Sequence, residues 1–227
     1  MDSSIKSESS MSIKSDIPRR EFLKTSSVAV AGLVVGFYLS ESEAKALDKG
    51  VKKNRKPQGD TEKLFLPNAF IILAPDNTVT VIAKHVEMGQ GVYTGLATIV
   101  AEEMDVDFNQ ILIEAAPANP LLYNNLSFGQ FQGTGGSTSI ANSWTQLREA
   151  SATARARLIL AAANSWKVPV KEIQTDEGNL LHPETKRSAT YGEFAMLAQA
   201  TPAPQKVDLK SPSEFRIIGK KDLRRID

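Results

Sequence analysis

From about Phe65 onward, apolar and polar positions alternate in periods that spell out elements. Ala69–Ala74 is a short Ile-rich run, and Pro75-Asp76-Asn77 is a turn signal. Over Val79–Val86, Val79, Val81 and Ala83 alternate with Thr80, Ile82 and Lys84. This pattern predicts a β-hairpin. From Tyr93 to Met104 the period changes, and Leu96, Ile99, Val100 and Met104 fall on one helical face. Ile111–Ala115 predicts another strand. A long helix is predicted over Thr138–Trp166, where Ile140, Trp144, Leu147, Ser151, Ala154, Leu158 and Ala161 recur at spacings of three and four. Its many alanines allow neighbours to approach closely. Val170–Thr175, a turn at Asp176–Asn179, and Leu180–His182 predict a second hairpin. Thr190-Tyr191-Gly192-Glu193 is a capping box that opens a short helix, because Thr and Glu satisfy each other's exposed N–H groups.

Two stretches break the pattern. Residues 119–136 are irregular and dense in Asn, Gly, Gln and Phe. Loops of that length without secondary structure are uncommon and often functional. Residues 201–213 are Pro-rich and are expected to leave the domain. Phe215–Ile218 is expected to pair as a strand. That strand and the Ala-rich helix face are expected to pack against residues beyond Asp227. Interleaved strands and helices point to an α/β or α+β layer structure, and we take α+β as the class.

The first sixty residues read differently. Residues 1–17 offer nothing to bury. Pro18-Arg19-Arg20-Glu21-Phe22-Leu23-Lys24 matches a twin-arginine export pattern, with Pro18 where Ser or Thr is usual. Val28 to Leu39 is weakly apolar and shorter than the ~20 residues a membrane-spanning helix needs. Ala44-Lys45-Ala46 then supplies a small-x-small cleavage site. Residues 1–46 are therefore expected to be a signal region that sends the protein to the periplasm, with an uncleaved membrane anchor as the variant form. The twin-arginine route carries folded proteins and is commonly used when a cofactor is inserted first. Residues 47–63 are read as a linker. Its Lys49, Lys52, Lys53, Arg55 and Lys56 lack aromatic partners and form a solvated tether, with no nucleic-acid partner expected.

Composition narrows the chemistry. The 227 residues are 41% hydrophobic and 23% charged with a net charge of +1, which is ordinary globular material. With no cysteine, the chain cannot form a disulfide, a thiolate zinc site or an iron–sulfur cluster of its own. With only His85 and His182, an all-protein transition-metal site is not expected. Any redox centre is a bound cofactor or sits on a partner.

Two glycine motifs stand out. Glu87-Met88-Gly89-Gln90-Gly91 follows a predicted strand and precedes a predicted helix. Its glycines permit a sharp turn and close approach to a ligand, and Gln90 offers one acceptor and two donors. The plainer reading is a strand-to-helix turn with a locally bonded Gln. Gly133-Thr134-Gly135-Gly136-Ser137-Thr138-Ser139 opens the long helix, where unpaired N–H groups and the macrodipole favour an anion. The plainer reading there is a Ser N-cap after a loop. The segment is neither a Walker loop nor GxGxxG, and glycine richness alone names no ligand.

The order is more specific than either motif. Glu87-Met88-Gly89-Gln90-Gly91-Val92 with Thr94, then Ala101-Glu102-Glu103, then Gly133-Thr134-Gly135-Gly136-Ser137, then Leu147-Arg148 with Ala150, and Ala154-Arg155, resembles the molybdenum-binding subunits of the xanthine oxidase family. The resemblance is to its isoquinoline 1-oxidoreductase β-subunit type, which includes membrane-bound aldehyde dehydrogenase large subunits. It covers roughly residues 64–227, read as a partial molybdopterin-binding domain.

The resemblance implies a molybdopterin, in its cytosine dinucleotide form, that holds molybdenum through its own dithiolene. It implies a small partner subunit with two [2Fe–2S] clusters, a small N-heterocycle or aldehyde as substrate, and water as the oxygen source. It places Gly89, Gln90 and Gly91 at the cofactor, with Gln90 bonding near the metal. It likewise places Gly135 at the cofactor, Gly136 against the metal's surroundings, and Ser137 and Ser139 on the pterin. Family members are several times longer, and their second glycine loop and general-base glutamate come later. The chain is thus expected to be inactive and poorly stable without the remainder of the large subunit. A non-catalytic periplasmic module that binds a pterin or phosphate, or aids assembly, is the competing reading. Glu102 and Glu103 are expected on the helix surface, and Glu87 in a turn or supporting role. His85 and His182 are expected at hairpin ends, and Asp105 and Asp107 at a solvated helix end.

Overall fold

A computed structural model describes residues 33–36, 69–220 and 222–226. The arginine pair, the cleavage motif and the linker fall outside them. The main sheet has the order β1 (Leu33–Gly36), β2 (Ala69–Leu73), β3 (Val79–Ala83), β4 (Ile111–Ala115). β2 and β3 form the expected hairpin. Its turn closes where Asp76 Oδ1 accepts from Thr78 N at 2.9 Å and Asn77 takes φ 71°, a conformation Asn tolerates. β1, within the apolar stretch read as part of the signal, pairs antiparallel with β2.

β3 and β4 are parallel. Parallel neighbours need a crossover, and helix α1 (Val92–Met104) provides it. The turn between β3 and α1 therefore lies at the carboxyl end of a strand and the amino end of a helix, where α/β folds place ligands.

The core joins Ile71, Leu73, Val79 and Val81 of the sheet to Leu96, Val100 and Met104 of α1. It also takes in Leu147, Ala154 and Leu158 of α2 (Ser139–Trp166). Ala150, Ala154, Ala161, Ala162 and Ala163 are all buried within this chain. The Ala-rich face is thus not an open surface waiting for later residues. Small side chains let α2 lie close against α1 and against helix α3 (Tyr191–Ala200).

A second, antiparallel sheet holds β5 (Gln174–Asp176), β6 (Asn179–His182) and β7 (Arg187–Thr190). The second hairpin is present but starts late, because residues 170–172 form a 3-10 turn. The capping box of α3 is made: Glu193 N donates to Thr190 Oγ1 at 3.2 Å and Thr190 N to Glu193 Oε2 at 2.6 Å. A Cβ at Gly192 would stand 2.4 Å from the Pro75 carbonyl oxygen, so only glycine lets α3 abut the first hairpin's turn.

The acids of α1 are the main correction. Glu102 and Glu103, expected on the helix surface, are 1% and 0% exposed. Glu103 Oε2 accepts from Arg148 Nε of α2 at 2.8 Å, and Oε1 from Lys210 N at 2.9 Å. Glu102 accepts backbone N–H bonds from Arg216, Ile217 and Ile218 at 2.7–3.1 Å. Lys210 Nζ reaches Glu102 Oε1 at 3.2 Å and also Asp105. Asp105 is likewise not solvated, since Arg155 Nη1 and Thr175 Oγ1 donate to it at 2.9 and 2.7 Å. Asp107 caps a short 3-10 turn.

The Pro-rich stretch consequently does not leave the domain. It returns Lys210, Phe215 and Ile217 onto α1 and α2, with Phe215 edge-on to Trp144 at 6.2 Å between ring centroids. Residues 215–218 form no strand. The N–H groups of Arg216, Ile217 and Ile218 turn inward to the Glu102 carboxylate instead of pairing with a neighbouring strand.

Removing that carboxylate should be costly. Glu102→Ala leaves Lys210 and three backbone donors facing an empty buried space. We expect a loss of about 3–5 kcal/mol, as when one partner of a buried ion pair is deleted. Urea unfolding measures it, and a loss under ~1 kcal/mol would contradict the clamp. Burial raises the Glu102 carboxyl, but the N–H groups and Lys210 outweigh it and hold it below its usual 4.5. Asp105 is lowered in the same way, with Lys210 and Thr175 outweighing its burial. Stability from both groups is present above the ordinary carboxylate range and is lost as pH falls through it. The urea midpoint should therefore drop below pH 4.5 in the native chain and drop less in Glu102→Ala.

Candidate functional site

The first glycine motif closes on itself. Gly89 and Gly91 take φ 96° and 86°, left-handed values that glycine adopts without strain. Glu87 lies beneath the loop. Its Oε1 accepts from Gly89 N and Gly91 N at 2.8 Å each, and its Oε2 from Tyr93 N at 3.0 Å. The carboxylate thus caps α1, whose N-cap Gly91 has no side chain for the task. The Tyr93 and Gly91 amides hold its pKa below the usual value, and Arg225, with Nη2 at 3.5 Å, adds to this. Gln90 crosses the loop, with Oε1 accepting from Met88 N at 2.6 Å and Nε2 donating to Val86 O at 2.9 Å. Its exposed amide therefore sets the loop's shape and stands at its solvent face.

The second motif ends the irregular stretch, which asparagines staple together. Asn125 Nδ2 donates to Gly133 O at 3.1 Å and to Thr138 Oγ1 at 2.8 Å. Gly136 and Ser137 both take left-handed φ, 59° and 56°. Thr138 is the N-cap of α2, yet its hydroxyl turns back to Gly135 O at 2.8 Å and makes no cap bond. The first turn of α2 therefore presents its N–H groups without a side-chain cap. A Cβ added at Gly91 or Gly135 would meet nothing within 4 Å, so both glycines border open space.

Residues just before the first motif bring the two together. Val86 N donates to Thr134 Oγ1 at 2.7 Å. His85, 1% exposed, lies 3.2 Å from Gly133 O through Nδ1 and 3.1 Å from Asn142 Oδ1 of α2 through Nε2. Gly89, Gln90, Gly91, Gly135, Gly136, Ser137 and Ser139 thus belong to two adjoining loops at the amino ends of α1 and α2. Exposed apolar side chains rim them: Val86, Met88, Leu126, Phe128 and Phe131.

Sequence reasoning missed His85, Asn125 and Asn142, which hold this arrangement. His85 does lie at the hairpin end, two residues after β3, and its ring is buried there between the motifs. A buried His after a strand was the available signal, but it needed the fold to give it partners. Glu87 fills the turn role expected of it.

Among the described residues, Glu172, His182 and Glu184 could gather ligand atoms within 4.8 Å. His182 Nδ1, however, accepts from Thr185 N at 3.3 Å. Its Nε2 therefore carries the proton and donates to Glu172 at 3.1 Å, which makes it a strut, not a ligand.

The donors, the open glycines and the absence of cysteine ligands suit a polar, anionic group that brings its own metal ligands. A family model described as a molybdopterin cofactor-binding domain matches residues 21–223. The chain is 37% identical over 134 residues to the beta subunit of isoquinoline 1-oxidoreductase of Brevundimonas diminuta, covering 59% of this chain and 17% of that protein. It is 28% identical over 224 residues to a membrane-bound aldehyde dehydrogenase [pyrroloquinoline-quinone] of Gluconacetobacter polyoxogenes, covering 94% of this chain and 26% of that one. A nicotinate dehydrogenase subunit of Pseudomonas putida is 28% identical over 156 residues, covering 66% and 12%. The chain therefore spans about a quarter or less of these relatives' lengths. Among solved structures, quinoline 2-oxidoreductase from Pseudomonas putida 86 aligns with TM-score 0.42 at 19% identity, over 57% of this chain and 15% of that one. CO dehydrogenase from Oligotropha carboxidovorans aligns with TM-score 0.43 at 25% identity, over the same shares. The chain belongs to the molybdopterin cofactor-binding domain family.

Proposed function

We propose that this chain forms one wall of the molybdopterin site of a periplasmic molybdenum hydroxylase large subunit. The observation that carries the reading is the joining of the two glycine motifs through Val86–Thr134 and His85, above the uncapped first turn of α2. The bound cofactor, in its cytosine dinucleotide form, would supply a two-electron oxidation of an N-heterocycle or aldehyde in which water provides the oxygen. Electrons would leave through a small subunit carrying [2Fe–2S] clusters. The names of the relatives, an isoquinoline oxidoreductase subunit and an aldehyde dehydrogenase, support this substrate range.

The work of this chain's own residues is binding and orientation. Gly91 and Gly135 leave room for close approach. The Gln90 amide, bonded to Met88 N and Val86 O, lies at the exposed face of its loop, and Ser137 and Ser139 stand at the start of α2. None of the site's acids is available as a base, because Glu87 is held by three amides and Glu102 and Glu103 are buried in the clamp. The base and the opposite wall would come from the remainder of the large subunit, which would cover the apolar rim at Met88, Phe128 and Phe131.

The test is cofactor retention in the assembled enzyme. Gly136 has φ 59°, so Gly136→Val adds backbone strain of about 1–2 kcal/mol and a side chain facing the cradle. Molybdenum content should fall below about a tenth of the native level, a loss of ~1.4 kcal/mol or more in cofactor affinity, because the added side chain blocks the cradle, while the strain lowers the stability of the fold. Gln90→Ala should lower it by roughly 2- to 10-fold, the loss of a hydrogen bond of about 0.5–1.5 kcal/mol. Native molybdenum content in both variants would refute the site. Export is tested separately: replacing Arg19 and Arg20 with lysine should leave the protein in the cytoplasm, and unchanged periplasmic delivery would contradict twin-arginine transport.

A further inference from the structure

His85 sits where the two motifs meet, and its hydrogen bonds set a requirement that its surroundings oppose. Nδ1 faces Gly133 O, which can only accept. Nε2 faces Asn142 Oδ1. The orientation of Asn142 is fixed in turn, because its Nδ2 donates to Asn125 Oδ1 at 2.6 Å. That oxygen is itself fixed by Ser127 N, a donor only, at 3.0 Å. Turning the Asn142 amide would set two oxygens against each other across 2.6 Å. Only an imidazolium, a donor at both nitrogens, satisfies the whole chain His85–Asn142–Asn125.

The surroundings favour the neutral ring. Burial pushes the His85 pKa down, and the positive charge of Lys84 adds to this, outweighing the upward pull of the bonds to Asn142 and Gly133. Lys84 is 4% exposed, its Nζ has no hydrogen-bond partner among the described residues, and burial pushes it down to about 8. Among the described residues, no acid answers these two bases. Glu87 is turned toward the loop amides and Arg225. The groups contributed by the 119–138 loop and α2, namely Asn125, Thr138, Asn142 and Ser143, are neutral. The Lys84 ammonium next to His85 thus has no counter-charge among the described residues.

We propose that the counter-charge is the ligand: a diphosphate group seated at the two glycine motifs holds His85 as imidazolium, so that binding takes up one proton and locks the 133–138 loop to β3. This deepens the cofactor reading and rests on it. His85 is here a positioning residue that acts through Gly133 and Asn142. Without the anion, the lowered pKa leaves the ring neutral at about pH 7.5, and one of its two contacts then sets a lone pair against an oxygen. With the anion present, both contacts become hydrogen bonds.

The chain has only two histidines, so nitrogen-15 spectra of this 227-residue chain read both directly. His182, held as the Nε2–H tautomer between Thr185 and Glu172, is the internal reference. With inorganic pyrophosphate as the probe at about pH 7.5, His85 should move from the neutral to the imidazolium pattern while His182 stays still. The wild-type affinity, compared with that of His85→Gln to remove the probe's own titration, should rise about tenfold per unit fall in pH between the free and bound pKa of His85. If His85→Gln fails to fold, Lys84→Met serves instead, and the free His85 should then titrate at higher pH. Pyrophosphate binding with His85 still neutral overturns this inference alone. A wild-type chain that binds no pyrophosphate overturns the cradle reading with it.

Discussion

The buried pair between Glu103 of α1 and Arg148 of α2 governs the rest of this domain. Each glycine motif leads into one of these helices, so whatever fixes the helices against each other also fixes the motifs. The Arg148 guanidinium also lies against the rings of Trp144 and Phe215, at 5.1 and 5.5 Å from their centroids. Two ions taken out of water cost several kcal/mol each, which close pairing and added hydrogen bonds must offset. Here the offset comes from the returning segment around Lys210 and residues 216–218, whose backbone completes the coordination of both acids. The segment after α3 is therefore part of the mechanism that holds the site, although it lies far from it in sequence.

The site itself is built on a different principle. The clamp is charged and fully satisfied, whereas the cradle is held by neutral amides: Gln90, Asn125 and Asn142. Amides both donate and accept, so they can shape glycine-rich backbone without spending the backbone N–H groups of α2. The first motif uses its own carboxylate, Glu87, for the amides at α1, while α2 has no such internal anion. Of the two helix starts, the one at residues 138–139 has no side-chain cap. The buried Lys84 and His85 follow β3 directly, and His85 bonds to the loop that leads into α2.

Much of the domain was legible in the sequence because its signals are local. Alternation revealed the first hairpin, helical spacing revealed α1 and α2, and the capping box marked the start of α3 to the residue. The two motifs were legible as a pair through their order. What could not be read depends on contacts across more than a hundred residues for the acids and across tens of residues for the histidine. Glu102 and Glu103 look like surface positions until residues 210–218 return to cover them. The alanines of α2 look unpartnered until α1 and α3 close on them. His85 looks like the end of a strand until Asn142, 57 positions later, gives its ring a second acceptor. In each case local pattern set the element, and distant chemistry set the role.

The central claim is that the two motifs jointly face one cofactor. An experimental structure of the assembled enzyme containing this chain tests it most directly. The account requires the pterin or its phosphates to lie within hydrogen-bonding distance of both the Gln90 loop and the backbone of residues 136–139, with the ring of His85 behind them. A cofactor that touches only one motif, or lies elsewhere in the assembly, would contradict it.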